Sequence, residues 1–210
     1  MKILAHRGLW QSAQEKNTSQ AIQAAFHRGF GCEIDLRDRE EKLVISHDMA
    51  SAACAAFDQI LESWNTHEEC MLALDIKACG LLPLLLPQLE GHSNYFCFGM
   101  PLCEMLDYIA AGVRVFTRQS EYEPEPLLYE QSQGVWVDYF YDDHAAVAAA
   151  VSHLQQGKPV CFVSADLNGR DPLGQWALLK ALDQNCLDRL ILCTDLVQQA
   201  QTFFESGCVE

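Results

Sequence analysis

The chain has 210 residues, half of them hydrophobic and 20% charged, with a formal net charge of −15. That length suits one domain with a sizeable core. The surplus of acid argues against broad electrostatic binding to nucleic acid or anionic membranes, and admits an anionic substrate only where a cation reverses the local field.

The ten cysteines include no C-x-x-C pair. Cys32, Cys97, Cys161 and Cys193 fall in apolar, strand-like runs. They read as buried thiols in a reducing compartment, which makes a cytoplasmic location the expectation. The first five residues reach His6-Arg7 too soon for a signal peptide. The apolar stretch 81–89 is short and contains Pro83 and Pro87, so no transmembrane segment is expected.

In chain order, residues 2–5 are a predicted first strand ending at His6-Arg7-Gly8. Asn17 or Thr18 caps a helix with Ala21, Ile22, Ala25 and Phe26 on one face, closed by Gly29 and Gly31. The second strand carries Cys32-Glu33-Ile34-Asp35-Leu36-Arg37, and residues 43–46 deliver His47-Asp48. A short helix is expected at 57–64, a third strand at 70–76 and a proline-interrupted helix at 81–90. Strands follow at 95–98, 113–117, 135–139, 159–164 and 190–194. Helices are expected at 102–111, 144–155, 173–182 and 197–204, and a Pro- and Glu-rich loop at 121–126. Eight strand–helix repeats of this kind predict an α/β fold with a parallel sheet, a single-domain (β/α)8 TIM barrel over residues 1–210. A doubly wound open sheet is the alternative. No G-x-G-x-x-G follows the first strand, so dinucleotide binding has no support.

The second strand organises the chemistry. Residues two apart share a face, so Glu33, Asp35 and Arg37 point one way and Cys32, Ile34 and Leu36 the other. Alone, the stretch reads as a surface strand with a wet face. In a sheet covered on both sides, a Glu-x-Asp pair is costly to desolvate without compensating positive charge, which a divalent cation held by carboxylate oxygens would supply. His6 and Arg7, Asp75 and Lys77, Ser164 and Asp166, and Thr194 and Asp195 stand at other strand ends, where a barrel carries its active site.

His6-Arg7-Gly8, Asn17-Thr18 before a helix, Glu33-x-Asp35, His47-Asp48 and Asp75-Ile76-Lys77, in that order, resemble the glycerophosphodiester phosphodiesterase family. The ending Leu192-Cys193-Thr194-Asp195 resembles that family's last strand. The motifs fill roughly the first 80 residues and the barrel resemblance covers the chain. The resemblance implies a TIM barrel that hydrolyses a small phosphodiester with a divalent cation, magnesium or calcium. It implies His6 and His47 as the general acid/base pair facing a common space, with His47 favoured as the acid. Glu33, Asp35 and Asp75 fall on metal ligands, and Arg7 and Lys77 on phosphate contacts. Two imidazoles and a cation suit a reaction that must activate a nucleophile, protonate an alkoxide and neutralise nonbridging oxygens.

The chain departs from the family pattern in three places. Asp75 stands where the family normally has Glu, and Lys16 where Glu commonly precedes Asn-Thr. Only residues 49–56 follow His47-Asp48, where a long insertion is common. The small rim points to an open site and a substrate such as a phosphodiester-linked glycan or lipid head group. A catalytically silent barrel that binds a phosphorylated ligand, and a lyase giving a cyclic phosphate, are the competing readings. Asn17-Thr18 is read as a helix cap, Arg37 as a partner of Asp35 or Asp38, and His27, His67, His92, His144 and His153 as exposed. Trp136, Tyr139 and Tyr141 are read as lining the pocket mouth or the core. The oligomeric state is open.

Overall fold

A computed structural model describes residues 1–206. Ten strands form one sheet: β1 (Lys2–His6), β2 (Gly31–Arg39), β3 (Lys42–Ile45), β4 (Ala55–Ala56), β5 (Leu72–Ile76), β6 (Tyr95–Phe98), β7 (Phe116–Gln119), β8 (Gly134–Val137), β9 (Val160–Val163) and β10 (Leu190–Thr194). The helices are α1 (Ser19–His27), α2 (Phe57–Trp64), α3 (Leu82–Leu85), α4 (Leu102–Ala110), α5 (Asp143–Gln155), α6 (Leu173–Lys180), α7 (Gln184–Leu187) and α8 (Val197–Glu205). Parallel pairing runs in the order β6-β5-β2-β1-β10-β9-β8-β7. The sheet curls, and between β6 and the residue before β7 there is one isolated parallel bridge, Cys97–Val115.

Hydrophobic alternation places the core in two layers. Inside the curl, Leu4, Ala73, Phe96, Phe98, Phe116, Trp136, Cys161, Val163, Ile191 and Cys193 form one buried cluster. Outside it, strand residues such as Ile34, Leu72 and Leu192 pack against the helices. Strands covered on both faces read as unbroken apolar runs, which is why β9 and β10 are buried throughout. Phe96 stacks on Phe116 with ring centroids 3.9 Å apart, so aromatic packing spans the thin β6–β7 junction. Gly134 leaves room there, since a Cβ at that position would strike the Phe116 ring.

The loop expected at 121–126 is present, so the fifth of the eight expected repeats carries no helix. Residues 120–133 between β7 and β8 contain no helix. Pro124 and Pro126 oppose one, and the Glu121 carboxylate folds the loop back by accepting the Phe140 and Tyr141 amides at 3.1 and 2.9 Å. The stretch 81–90 splits as the prolines dictate, into α3 and a 3-10 turn, Leu86–Leu89. His153 is buried, not exposed, between Gln119 Oε1 at 2.6 Å and the Tyr129 hydroxyl at 3.1 Å. Trp136 is core, stacked on Phe98 at 3.9 Å, whereas Tyr141 is exposed. All nine cysteines among the described residues are free, and Cys208 lies outside them. Among the described residues, no helix is long and apolar enough to cross a membrane.

Candidate active site

The C-terminal half of β2 builds the site. Its first residues pair with β1 and β5, and the rest runs on into an antiparallel hairpin with β3. Glu40 and Glu41 both have positive φ, 51° and 61°, the signature of a primed turn whose twist matches the strands. The hairpin brings the chain back over Asp35, whose carbonyl accepts the Ser46 amide at 2.9 Å. Arg37 does not reach Asp35 or Asp38 as expected. Its Nε and Nη2 donate to the His47 carbonyl at 3.3 and 3.1 Å, pinning that residue.

Register then stacks the acids. His6 pairs with Glu33 across β1 and β2, and Asp35 with Asp75 across β2 and β5. Like charges directly opposite one another repel. Carboxylate oxygens of Glu33, Asp35 and Asp75 all lie within 4.8 Å of one another. Two cations answer them. Lys77 Nζ lies 2.5 Å from Asp75 Oδ2 and 3.2 Å from Asp35 Oδ1. Arg7 Nε lies 2.9 Å from Asp35 Oδ2, without the alignment of a hydrogen bond. Asn17, expected only to cap α1, donates to Asp35 Oδ2 at 2.7 Å, and Thr18 is the cap, accepting the Ala21 amide at 3.2 Å.

The arithmetic leaves one acid over. Burial raises the Asp35 carboxyl, but Lys77 and Arg7 outweigh that and hold it below the ordinary range. Burial pushes Asp75 up against the pull of Lys77. Burial, then Asp35 and Asp75, push Glu33 well above the ordinary range, although Arg7 and Lys77 oppose this. Glu33 Oε2 is buried with no hydrogen-bond partner. A carboxylate oxygen in that state calls for a proton or a cation.

The two histidines are held differently. His6 Nδ1 donates to Asp195 Oδ1 at 2.7 Å, and Lys16 Nζ holds the other Asp195 oxygen at 3.2 Å. His6 Nε2 is thereby left bare, 3.9 Å from Glu33 Oε2. Burial lowers the His6 pKa despite the Asp195 carboxylate, which favours the neutral base. His47 Nδ1 faces Arg7 Nη2 at 2.8 Å and Asp35 Oδ1 at 3.3 Å. A guanidinium only donates, so Nδ1 accepts and the ring proton is assigned to Nε2.

The imidazoles do not face a common space, as the sequence reading expected. His6 borders a cavity of about 440 Å³ with Glu33, Asp75 and Lys77, lined also by Phe98, Arg118, Trp136 and Asp138. His47 borders an adjoining cavity of about 680 Å³, and Arg7 and Lys16 border both. All seven residues singled out in the sequence thus gather around this junction. Asp195, Lys16, Asn17 and Asp138 were not assigned to it. Asp195 and Asn17 sit at a strand end and a helix start, within stretches that resemble the family, but nothing there marked their contacts to His6 and Asp35.

Gly99, just after β6, has φ +81°, and a Cβ there would collide with Asp75 Oδ1. Gly99→Ala is expected to lower stability by about 1–2 kcal/mol from backbone strain alone, and to displace Asp75. Thermal melts together with metal titration check both parts.

Comparison with protein-family models gives no match, and neither does comparison with curated protein sequences. Solved structures do match. A glycerophosphodiester phosphodiesterase from Parabacteroides distasonis is 14% identical with a TM-score of 0.72, covering 98% of this chain and 97% of that one. One from Agrobacterium tumefaciens is 15% identical with a TM-score of 0.68, covering 96% and 99%. The chain has the fold of these phosphodiesterases. A dihydropteroate synthase from Xanthomonas albilineans also aligns, at 11% identity and a TM-score of 0.54 over 100% and 93%. The fold therefore hosts more than one chemistry, and the argument for function rests on the residues at the junction.

Proposed function

We propose that this chain is a metal-dependent phosphodiesterase on a (β/α)8 barrel, closed through the Cys97–Val115 bridge. The observation that carries the reading is the buried, unpartnered Glu33 oxygen at the centre of three converging carboxylates beside His6. All-oxygen donors with one uncompensated charge fit a hard divalent cation, Mg²⁺ or Ca²⁺, and Glu33, Asp35 and Asp75 would hold it. When bound, it supplies positive charge for the nonbridging phosphate oxygens.

The chain's own residues do the rest. Arg7 and Lys77 bind and orient the phosphate. His6 Nε2 takes the proton of the attacking hydroxyl as a P–O bond forms. As Arg7 turns to the phosphate, His47 Nδ1 is released, takes a proton from solvent and pairs with Asp35, and Nε2 gives its own proton to the departing oxygen as the P–O bond to it breaks, leaving the ring neutral. The same groups serve attack by water and attack by a substrate hydroxyl with a cyclic phosphate as product. The small rim and open cavities favour a diester of a glycan or lipid head group, and the free cysteines favour a cytoplasmic setting.

One observation supports a silent phosphate-binding barrel instead: Lys77 already bridges Asp75 and Asp35. Turnover of bis(p-nitrophenyl) phosphate with magnesium, calcium or manganese, compared with EDTA, separates the two. A loss of activity of at least about a hundredfold with EDTA, restored by metal, is expected. Phosphate-ester binding without turnover under any metal would favour the silent barrel. Proton and cation compete for Glu33, so metal affinity is expected to rise with pH and binding to release a proton, which calorimetry in two buffers measures.

A further inference from the structure

The cavity of about 680 Å³ beyond His47 is not needed to hold a cation or a phosphate group. It lies between the first turn of α1, the segment 46–56 and α2. Gln20, Ser51 and Gln59 line it with amides and a hydroxyl, Asn17 and Ser46 being engaged by Asp35 and the Asp48 carbonyl, and no Phe, Tyr or Trp lines it. Ser19 Oγ donates to Gln59 Oε1 at 3.4 Å in the cavity wall, which leaves the Gln59 amide nitrogen for a ligand. The neighbouring cavity is also largely charged and polar, but it adds aromatic surface, with Trp136 stacked on Phe98 in its wall. Arg7 and Lys16 stand where the two meet, the place suited to the charged phosphate.

A polar wall open to water favours a ligand whose hydroxyls take over the hydrogen bonds of the water it displaces, over an apolar one that cannot. The volume lies in the range of about 300–1,000 Å³ that takes ligands well beyond a three-carbon alcohol. We propose that this cavity is the subsite for the leaving alcohol of the diester, and that this alcohol is polyhydroxylated, with room for a disaccharide. The assignment rests on the phosphodiesterase reading and deepens it. His47 borders this cavity and not the other, so its proton passes to the oxygen released when the P–O bond to this arm breaks. The arm departs as a neutral alcohol.

Gln20 and Gln59 are exposed, so Gln20→Leu and Gln59→Leu test the subsite without opening the core. The substrates are a glycerol phosphate diester of a disaccharide and glycerophosphoglycerol. In the unmodified protein the disaccharide diester is expected to have the lower KM. The double variant should raise that KM about three- to tenfold, as loss of one or two hydrogen bonds does, and move the glycerophosphoglycerol KM less. Equal shifts, no shift, or no preference in the unmodified protein would overturn the assignment. If neither these diesters nor bis(p-nitrophenyl) phosphate turns over, the phosphodiesterase reading fails by itself. Calorimetry with a disaccharide phosphate then decides: binding weakened by the double variant supports the subsite, and absence of binding overturns it.

Discussion

Asp35→Ala is expected to lower unfolding stability by about 3–5 kcal/mol, the scale seen when one partner of a buried ion pair is removed. The Asp35 side chain is fully buried and touches Arg7, Lys77, His47 and Asn17 at 2.7–3.3 Å. Its removal leaves Arg7 without a carboxylate and Lys77 with Asp75 alone, in a partly buried setting where water cannot fully replace the carboxylate. Asp75→Ala is expected to cost less, because Lys77 keeps Asp35 as a partner. Urea unfolding of both variants checks the order. A loss below about 1 kcal/mol for Asp35→Ala would show that the cations relax into solvent and that Asp35 is no keystone of the charge network.

The largest effect on activity is expected at His6. His6→Ala should lower kcat about a hundred- to ten-thousandfold, the range for loss of a general base. Asp195→Asn should act through His6, and its signature is a shifted pH profile. Burial lowers the His6 pKa and the Asp195 carboxylate opposes it. Removing that negative charge destabilises the imidazolium, so the pKa falls further. The acid limb of the kcat/KM profile should move to lower pH while kcat drops. An upward shift, or an unmoved limb with normal kcat, would contradict the positioning role of Asp195.

Much of this site was legible because the backbone writes it into short-range patterns. Glu33 and Asp35 share a face by the period of a strand, and His6-Arg7 and Asp75-x-Lys77 fall at strand ends that apolar runs define. What the sequence hid depends on contacts between distant segments. Asp195 meets His6 across 189 positions of chain, and nothing local marks that pairing. Arg37 was assigned to a neighbouring acid because proximity in sequence was the only guide, yet the hairpin turns it to the His47 backbone. By contrast, Pro124 and Pro126 made the helix-free fifth repeat legible as a loop. The separation of the two imidazoles into adjoining cavities follows from where Arg7 lies, and its positive φ of 60° is invisible in sequence.

Anomalous diffraction from crystals soaked in manganese addresses the central claim most directly. A peak bonded to oxygens of Glu33, Asp35 and Asp75, with Lys77 drawn away from Asp75, is the predicted result. No peak there at saturating manganese, with Lys77 still bridging Asp75 and Asp35, would contradict it.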